Sequence, residues 1–149
     1  MEKAGPEYLF KIGEIIGIQP HLYSEKKRKL PIDIDYPCSF NRTIRVNLPK
    51  GYKILNPQDL KMNAEYVNRN LKPFISFNSE YTLTEDKKNG DKLVVTITET
   101  YPQVHFPITD WDRFKEVINT AADFDKVVLL IEKKDGKAVK TKAKKIAGK

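Results

Sequence analysis

The stretch "FISFNSEYTLTEDKKNGDKLVVTITETY", residues 74–101, gives the clearest indication of the fold. On both sides of its centre, apolar or aromatic residues alternate with polar ones, and β-branched and aromatic side chains are frequent, as in half-buried strands. The centre, "DKKNGD", contains the pair Asn89-Gly90. This pair suits the positive φ angles of tight hairpin turns. The stretch therefore predicts an antiparallel β-hairpin.

Two stretches that precede the hairpin predict further strands. In "LPIDIDY" (30–36) and "RTIRVNL" (42–48) every second residue is apolar or aromatic, the period of a half-buried strand. "PKGY" (49–52) predicts a turn after the second of them. Residues 8–23 are interrupted by Gly13, Gly17 and Pro20, so we expect an extended N-terminal segment there rather than a helix.

After the hairpin the period of the apolar residues changes. In "TDWDRFKEVINTAADF" (109–124), Trp111, Phe114, Ile118 and Ala121 are spaced by three or four residues, which predicts one face of an α-helix. Thr109 is the predicted N-cap of this helix. The continuous apolar run in "KVVLLIEK" (126–133) predicts a buried final strand.

These patterns predict a mainly β protein, an antiparallel β-sandwich of the immunoglobulin-like or a similar type, with one α-helix packed on it near the C-terminus. The single domain spans 1–132, including the extended N-terminal segment. Residues 133–149 contain eight Lys and one Asp, which account for the whole net charge of +7. Because this segment has few apolar residues, we expect a basic, disordered tail.

The composition excludes several classes of protein and site. No run of about eighteen apolar residues is present, so no membrane span is expected, and the N-terminus does not resemble a signal peptide. Cys38, His21 and His105 are the only Cys and His residues of the chain. A structural zinc site normally takes four such ligands, and one cysteine forms no internal disulfide. We expect neither a metal nor a cofactor.

The single cysteine raises the question of nucleophilic catalysis. Cys38 could in principle form a triad with His105 and Asp110, because tertiary folding could bring the three together. Cys38 lies in a strand-like region with no helix N-terminus to lower its pKa. A free cysteine is usually a buried small hydrophobe. We therefore expect Cys38 to have a packing role, with a small cysteine hydrolase as an alternative, and His105 to be a loop packing residue.

Two basic segments raise the question of nucleic-acid binding. "KKRK" (26–29) has acidic residues on both sides, so we interpret it as a solvated turn rather than a phosphate-binding patch. The tail, 133–149, could bind nucleic acid or another anionic surface, but it contains no aromatic residue to stack on bases. We interpret the tail as a solubilising terminus and keep binding through it as an alternative function.

Three further motifs in order along the chain carry a family resemblance: "EKKRKLPI" (25–32), "RTIRVNLPKGY" (42–52) and "FKEVINTAADFDKVVL" (114–129). Over about residues 8–133 the chain resembles the C-terminal β-sandwich domain, of unknown function, of large bacterial transglutaminase-like proteins. In those proteins an N-terminal β-rich domain and a transglutaminase-like domain precede it.

The resemblance implies a role outside catalysis. The Cys–His–Asp triad of such proteins lies in the central domain, so no catalytic residue is carried onto this chain. It implies a non-catalytic accessory domain that packs on or positions an upstream catalytic domain of the same parent chain, or binds a protein or glycan partner. Members usually carry an export signal and work in the cell envelope, which implies a periplasmic or envelope location.

Overall fold

A computed structural model describes residues 2–23, 28–67 and 73–134. This part of the chain is mainly β, with antiparallel sheets and a single α-helix, so the predicted fold class is confirmed. In chain order the elements are β1 (Glu2–Ala4), β2 (Glu7–Phe10), β3 (Ile32–Asp33), β4 (Cys38–Asn47), β5 (Tyr52–Ile54), β6 (Met62–Val67), β7 (Pro73–Thr84), β8 (Lys92–Tyr101), β9 (His105–Phe106), α1 (Trp111–Asp125) and β10 (Leu129–Lys133).

The predicted hairpin forms the centre of the larger sheet. β7 and β8 pair in antiparallel register, and the order of this four-stranded sheet is β4-β8-β7-β6. Gly90 has φ of +100°, as the turn prediction requires. The Asp86 carboxylate accepts hydrogen bonds from the backbone amides of Lys88 and Asn89 at 2.9 Å each, which fixes the turn. The hairpin prediction is confirmed.

One face of the larger sheet is buried against the rest of the domain. Leu93, Val95 and Ile97 of β8 are fully buried, while the residues between them lie on the opposite face. α1 packs on β6 and β7, and the rings of Phe77 and Phe124 lie 5.9 Å apart. The helix therefore covers the inner face of the sheet at the end away from β4.

A second sheet contributes to the same core. Its order is β1-β2-β10-β5, with antiparallel pairing throughout. β10, the predicted buried final strand, is at its centre, and Leu129 and Ile131 are buried. Side chains of both sheets and of α1 belong to one hydrophobic cluster. No helix in the described ranges is long and apolar enough to cross a membrane.

Three local predictions differ from the structure. Residues 8–23 are not uniformly extended, because β2 is followed by a 3-10 turn at Gly13–Ile16. Most of "LPIDIDY" is irregular, because only Ile32–Asp33 pairs as a strand, with β9, and prolines lie on both sides of this pair. Thr109 is not the N-cap, because a 3-10 turn at Ile108–Asp110 precedes the helix.

The structure describes only the first two residues of the predicted tail, Lys133 and Lys134. Lys133 ends β10, and the backbone amide of Lys134 donates to the carbonyl of Gly51 at 2.6 Å. The first two residues assigned to the tail thus belong to the folded body. Residues 135–149, on which the prediction of a disordered tail otherwise depends, lie outside the described residues.

Candidate functional site

A cleft of about 460 Å³ lies between the β4 side of the larger sheet and the N-terminal half of α1. Its walls come from the segment after the first 3-10 turn, from the segment before β4, and from two helix residues, Phe114 and Ile118. The exposed apolar side chains that line it are Ile18, Tyr36 and Phe40, which are 96%, 65% and 41% exposed. The cleft is therefore a concave surface with an apolar rim open to solvent.

The floor of the cleft contains a buried polar network. Arg42 on β4 and Glu99 on β8 form a salt bridge with an Nη1–Oε2 distance of 2.8 Å. The hydroxyl of Tyr101 donates to Oε1 of Glu99 at 2.7 Å. Both carboxylate oxygens thus have a donor, although the Glu99 side chain is only 5% exposed. A buried carboxylate needs such partners, because an unpaired charge away from water is costly.

The pairing of β4 with β8 explains this geometry. Phe40 is the register partner of Glu99, and Cys38 is the partner of Tyr101. Because side chains alternate between the two faces of a sheet, all four lie on the inner face together with Arg42. The Arg42 guanidinium also lies over the Phe40 ring, 4.8 Å from its centroid. The network is therefore neutral overall and held between two strands.

Burial in this network opposes ionisation of the two weak acids beside Glu99. Desolvation by burial, followed by the negative charge of Glu99, raises the pKa of Tyr101. The same two causes, in the same order, raise the pKa of the Cys38 thiol. A catalytic thiol needs the opposite shift, toward the thiolate. Cys38 is half-buried and lines the cleft, in a setting that favours the neutral thiol.

His105 and Asp110, the other two residues of the hypothetical triad, form hydrogen bonds with residues other than Cys38. Nδ1 of His105 lies 2.8 Å from Oδ1 of Asp33, its register partner in the β3–β9 pair, and both side chains are exposed. Asp110 accepts a hydrogen bond from the hydroxyl of Tyr66 at 3.2 Å. No hydrogen bond between described residues joins Cys38, His105 and Asp110 to one another.

The basic turn is only partly described. Lys26 and Lys27 lie outside the described residues. Arg28 donates to the carbonyls of Leu30 and Pro31, and its guanidinium lies 5.3 Å from the centroid of the Trp111 ring. Arg28 therefore ties this turn to the start of α1. Over the residues that the structure describes, no group of three or more Cys, His or acidic side chains could hold a metal ion.

The Arg42–Glu99–Tyr101 network is the part of the site that sequence reasoning missed. The signal that could have revealed this network is the alternation of inward and outward residues along the two strands. Glu99 occupies the inward position of a strand whose other inward residues include Val95 and Ile97, and Arg42 has the same parity as Ile44. A charged residue at an inward position of each of two adjacent strands predicts a buried ion pair.

Comparison with known protein families gives a match over most of the chain. The model of the family DUF3858, described as a domain of unknown function with a solved structure, matches residues 10–131. Neither the search of curated proteins nor the search of solved structures gave a match.

Proposed function

Because the chain belongs to the DUF3858 family, we propose that it is a non-catalytic accessory domain that docks through the rim of its cleft. The partner is a transglutaminase-like catalytic domain of the same polypeptide in the cell envelope, as the sequence resemblance implies. The observation that carries the proposal is the exposure of Ile18, Tyr36 and Phe40 around one concave surface. Large apolar side chains grouped on a surface and bordered by polar residues are typical of interaction sites.

The chemistry of the cleft favours binding over catalysis. The network on its floor satisfies its own hydrogen bonds, and burial together with the charge of Glu99 raises the pKa of the Cys38 thiol. The rim combines two exposed aromatic rings with an aliphatic side chain, and aromatic residues are enriched in protein interfaces. The same rings would offer a stacking surface to a glycan, which is the second class of partner.

The test begins with the coding sequence upstream of the Met1 codon. We expect an in-frame segment that encodes a transglutaminase-like domain. Hydroxyl-radical footprinting of the longer protein and of the isolated chain then measures solvent access to Tyr36 and Phe40. We expect both to be protected in the longer protein, while Tyr81, on β7, keeps its reactivity. A stop codon just upstream, or equal reactivity of Tyr36 and Phe40 in both proteins, would contradict the proposal.

Nucleic-acid binding through residues 133–149 stays an alternative with its own test. It predicts binding of a single-stranded oligonucleotide at low salt that disappears when residues 135–149 are deleted. Binding that survives this deletion, or that neither form shows, would exclude the alternative.

A further inference from the structure

The larger sheet ends in a long strand with an open edge. β4 pairs with β8 over ten residues, Cys38 to Asn47, and pairs with no other strand of the described ranges. In an antiparallel pair, the backbone groups of every second residue are directed away from the partner strand. Such an edge is a template for another strand unless it is short, contains proline or carries an unpaired inward charge. β4 contains no proline, and its inward Arg42 is already neutralised by Glu99.

The inner face of the sheet is incomplete at this edge. Along β8 the inward residues Leu93, Val95 and Ile97 are 0% exposed, whereas the inward Phe40 of β4 is 41% exposed. The cleft lies beside the first half of β4 and is lined by Cys38, Phe40 and Arg42. A strand added next to β4 would continue the inner face, and its alternate side chains would be directed into the cleft.

The opposite face of β4 defines the remaining chemistry. Its residues are polar and exposed: Ser39, Asn41, Thr43, Arg45 and Asn47. Arg45 forms no ion pair with any side chain in the described ranges. An acidic residue opposite Arg45 on an added strand would form a favourable cross-strand pair.

From these three features we infer that β4 binds an extended segment of the docking partner by adding it to the sheet as a fifth strand. The segment carries apolar side chains at every second position, which fill the cleft, and polar side chains between them, with Asp or Glu opposite Arg45. This is the β-augmentation mode of peptide recognition, in which main-chain hydrogen bonds supply affinity and side-chain pockets supply specificity. The inference deepens the proposed function, because it uses the same cleft.

Two other segments could in principle pair with β4, the C-terminal tail of this chain and β4 of a second copy, and charge disfavours both. Residues 135–149 contain six Lys and one Asp, so the tail of this chain would bring like charge to Arg45. A second copy of β4 would likewise place no acidic residue opposite Arg45. Like charges placed opposite each other destabilise a strand pair.

The test is selection from a library of random ten-residue peptides displayed on phage, with the whole chain as bait. For the unmodified chain we expect enriched peptides with apolar residues at every second position and an excess of Asp and Glu between them. For Arg45→Glu we expect this charge preference to reverse toward Lys and Arg, because only the cross-strand partner changes. Lys87→Glu makes the same change of charge in the exposed hairpin loop and should keep the acidic preference.

A second measurement locates the bound peptide. One enriched peptide should slow hydrogen exchange at alternate backbone amides of β4, and the same peptide with a central proline should bind at least about tenfold more weakly, because proline removes a ladder donor. No enrichment, a three- or four-residue apolar period, or an acidic preference that survives Arg45→Glu would overturn the inference. If the peptide experiments fail but an upstream catalytic domain is found, the proposed docking of that domain still stands. If the peptide experiments succeed but a stop codon lies upstream, β4 binds a separate partner protein.

Discussion

At the scale of single residues, the stability of the site depends on one carboxylate. Glu99 accepts hydrogen bonds from both Arg42 and Tyr101, and more than nine-tenths of its side chain is buried. Removing Glu99 leaves both Arg42 and Tyr101 without this acceptor, so the loss exceeds the net value of a single hydrogen bond.

We therefore expect Glu99→Ala to lower the free energy of unfolding by about 2–3 kcal/mol, with urea denaturation as the measurement. Arg42 retains some access to water, which keeps the cost below that of a fully buried pair. Tyr101→Phe removes one donor only and should cost about 1 kcal/mol. Glu80→Ala, which breaks an exposed pair between β7 and Lys61, should cost less than about 0.5 kcal/mol. Equal losses for the two Glu variants would contradict this account.

Asp91 gives the second prediction at this scale, on the dependence of stability on pH. The hydrogen bond from Lys134, with an Nζ–Oδ2 distance of 2.8 Å, is the main cause that lowers the pKa of Asp91. A folded-state pKa below the unfolded value of about 3.9 stabilises the fold above that pH and ceases to do so as the pH falls through the folded value. Asp91→Asn should therefore cost about 1 kcal/mol at pH 7 and progressively less below pH 4.

Thermal unfolding of the two proteins from pH 7 to pH 2 checks this sign. The difference in Tm between the unmodified chain and Asp91→Asn should be largest at pH 7 and should shrink as the pH falls below about 4. Lys134→Met should give the same trend, because it removes the donor that lowers the pKa of Asp91. A difference in Tm that grows toward acid would contradict the account.

At the scale of elements, the hairpin turn of β7 and β8 packs closely on the turn between β4 and β5. Gly90 and Gly51 both have positive φ angles, +100° and +85°. A Cβ atom on Gly90 would collide with the backbone carbonyl oxygen of Leu48 and crowd Lys50, whereas a Cβ atom on Gly51 would meet nothing within 4 Å. The two glycines thus share the conformational requirement but differ in their surroundings.

Substituting each glycine by alanine and comparing the two variants tests whether the two turns pack on each other. Gly51→Ala should cost about 1 kcal/mol, the strain of a left-handed conformation for a residue with a Cβ. Gly90→Ala should cost about 1–3 kcal/mol more, because backbone atoms must also move. Urea denaturation of both variants measures the difference. Equal costs would mean that the two turns do not pack on each other.

At the scale of the whole molecule, the sequence predicts the main elements because the apolar residues of each follow one regular pattern from end to end. The hairpin, α1 and β10 follow directly from alternation, from three- and four-residue spacing and from a continuous apolar run. The short strands and the turn before α1 do not follow from local pattern. β3 exists because Ile32 meets Phe106 across the fold, and the 3-10 turn before α1 follows Pro107, whose carbonyl accepts from Asp110.

The candidate site was only partly predictable for the same reason. The period of two places Arg42 and Glu99 at inward positions, but that they meet depends on the β4–β8 register, which pairs strands distant in sequence. The sequence likewise permits a triad of Cys38, His105 and Asp110, whereas the structure gives His105 and Asp110 other hydrogen-bond partners. Residue types alone carry no information on these long-range pairings.

Our proposal that this domain binds a partner and does not catalyse a reaction can be tested at Cys38. The decisive measurement is the rate of Cys38 alkylation by iodoacetamide as a function of pH, in the unmodified chain and in His105→Ala. Because burial and Glu99 raise the pKa of the thiol, we predict a midpoint above the ordinary value of about 8.5 and no change in His105→Ala. A midpoint below pH 7 that rises when His105 is replaced would contradict the account and establish a thiol activated for catalysis.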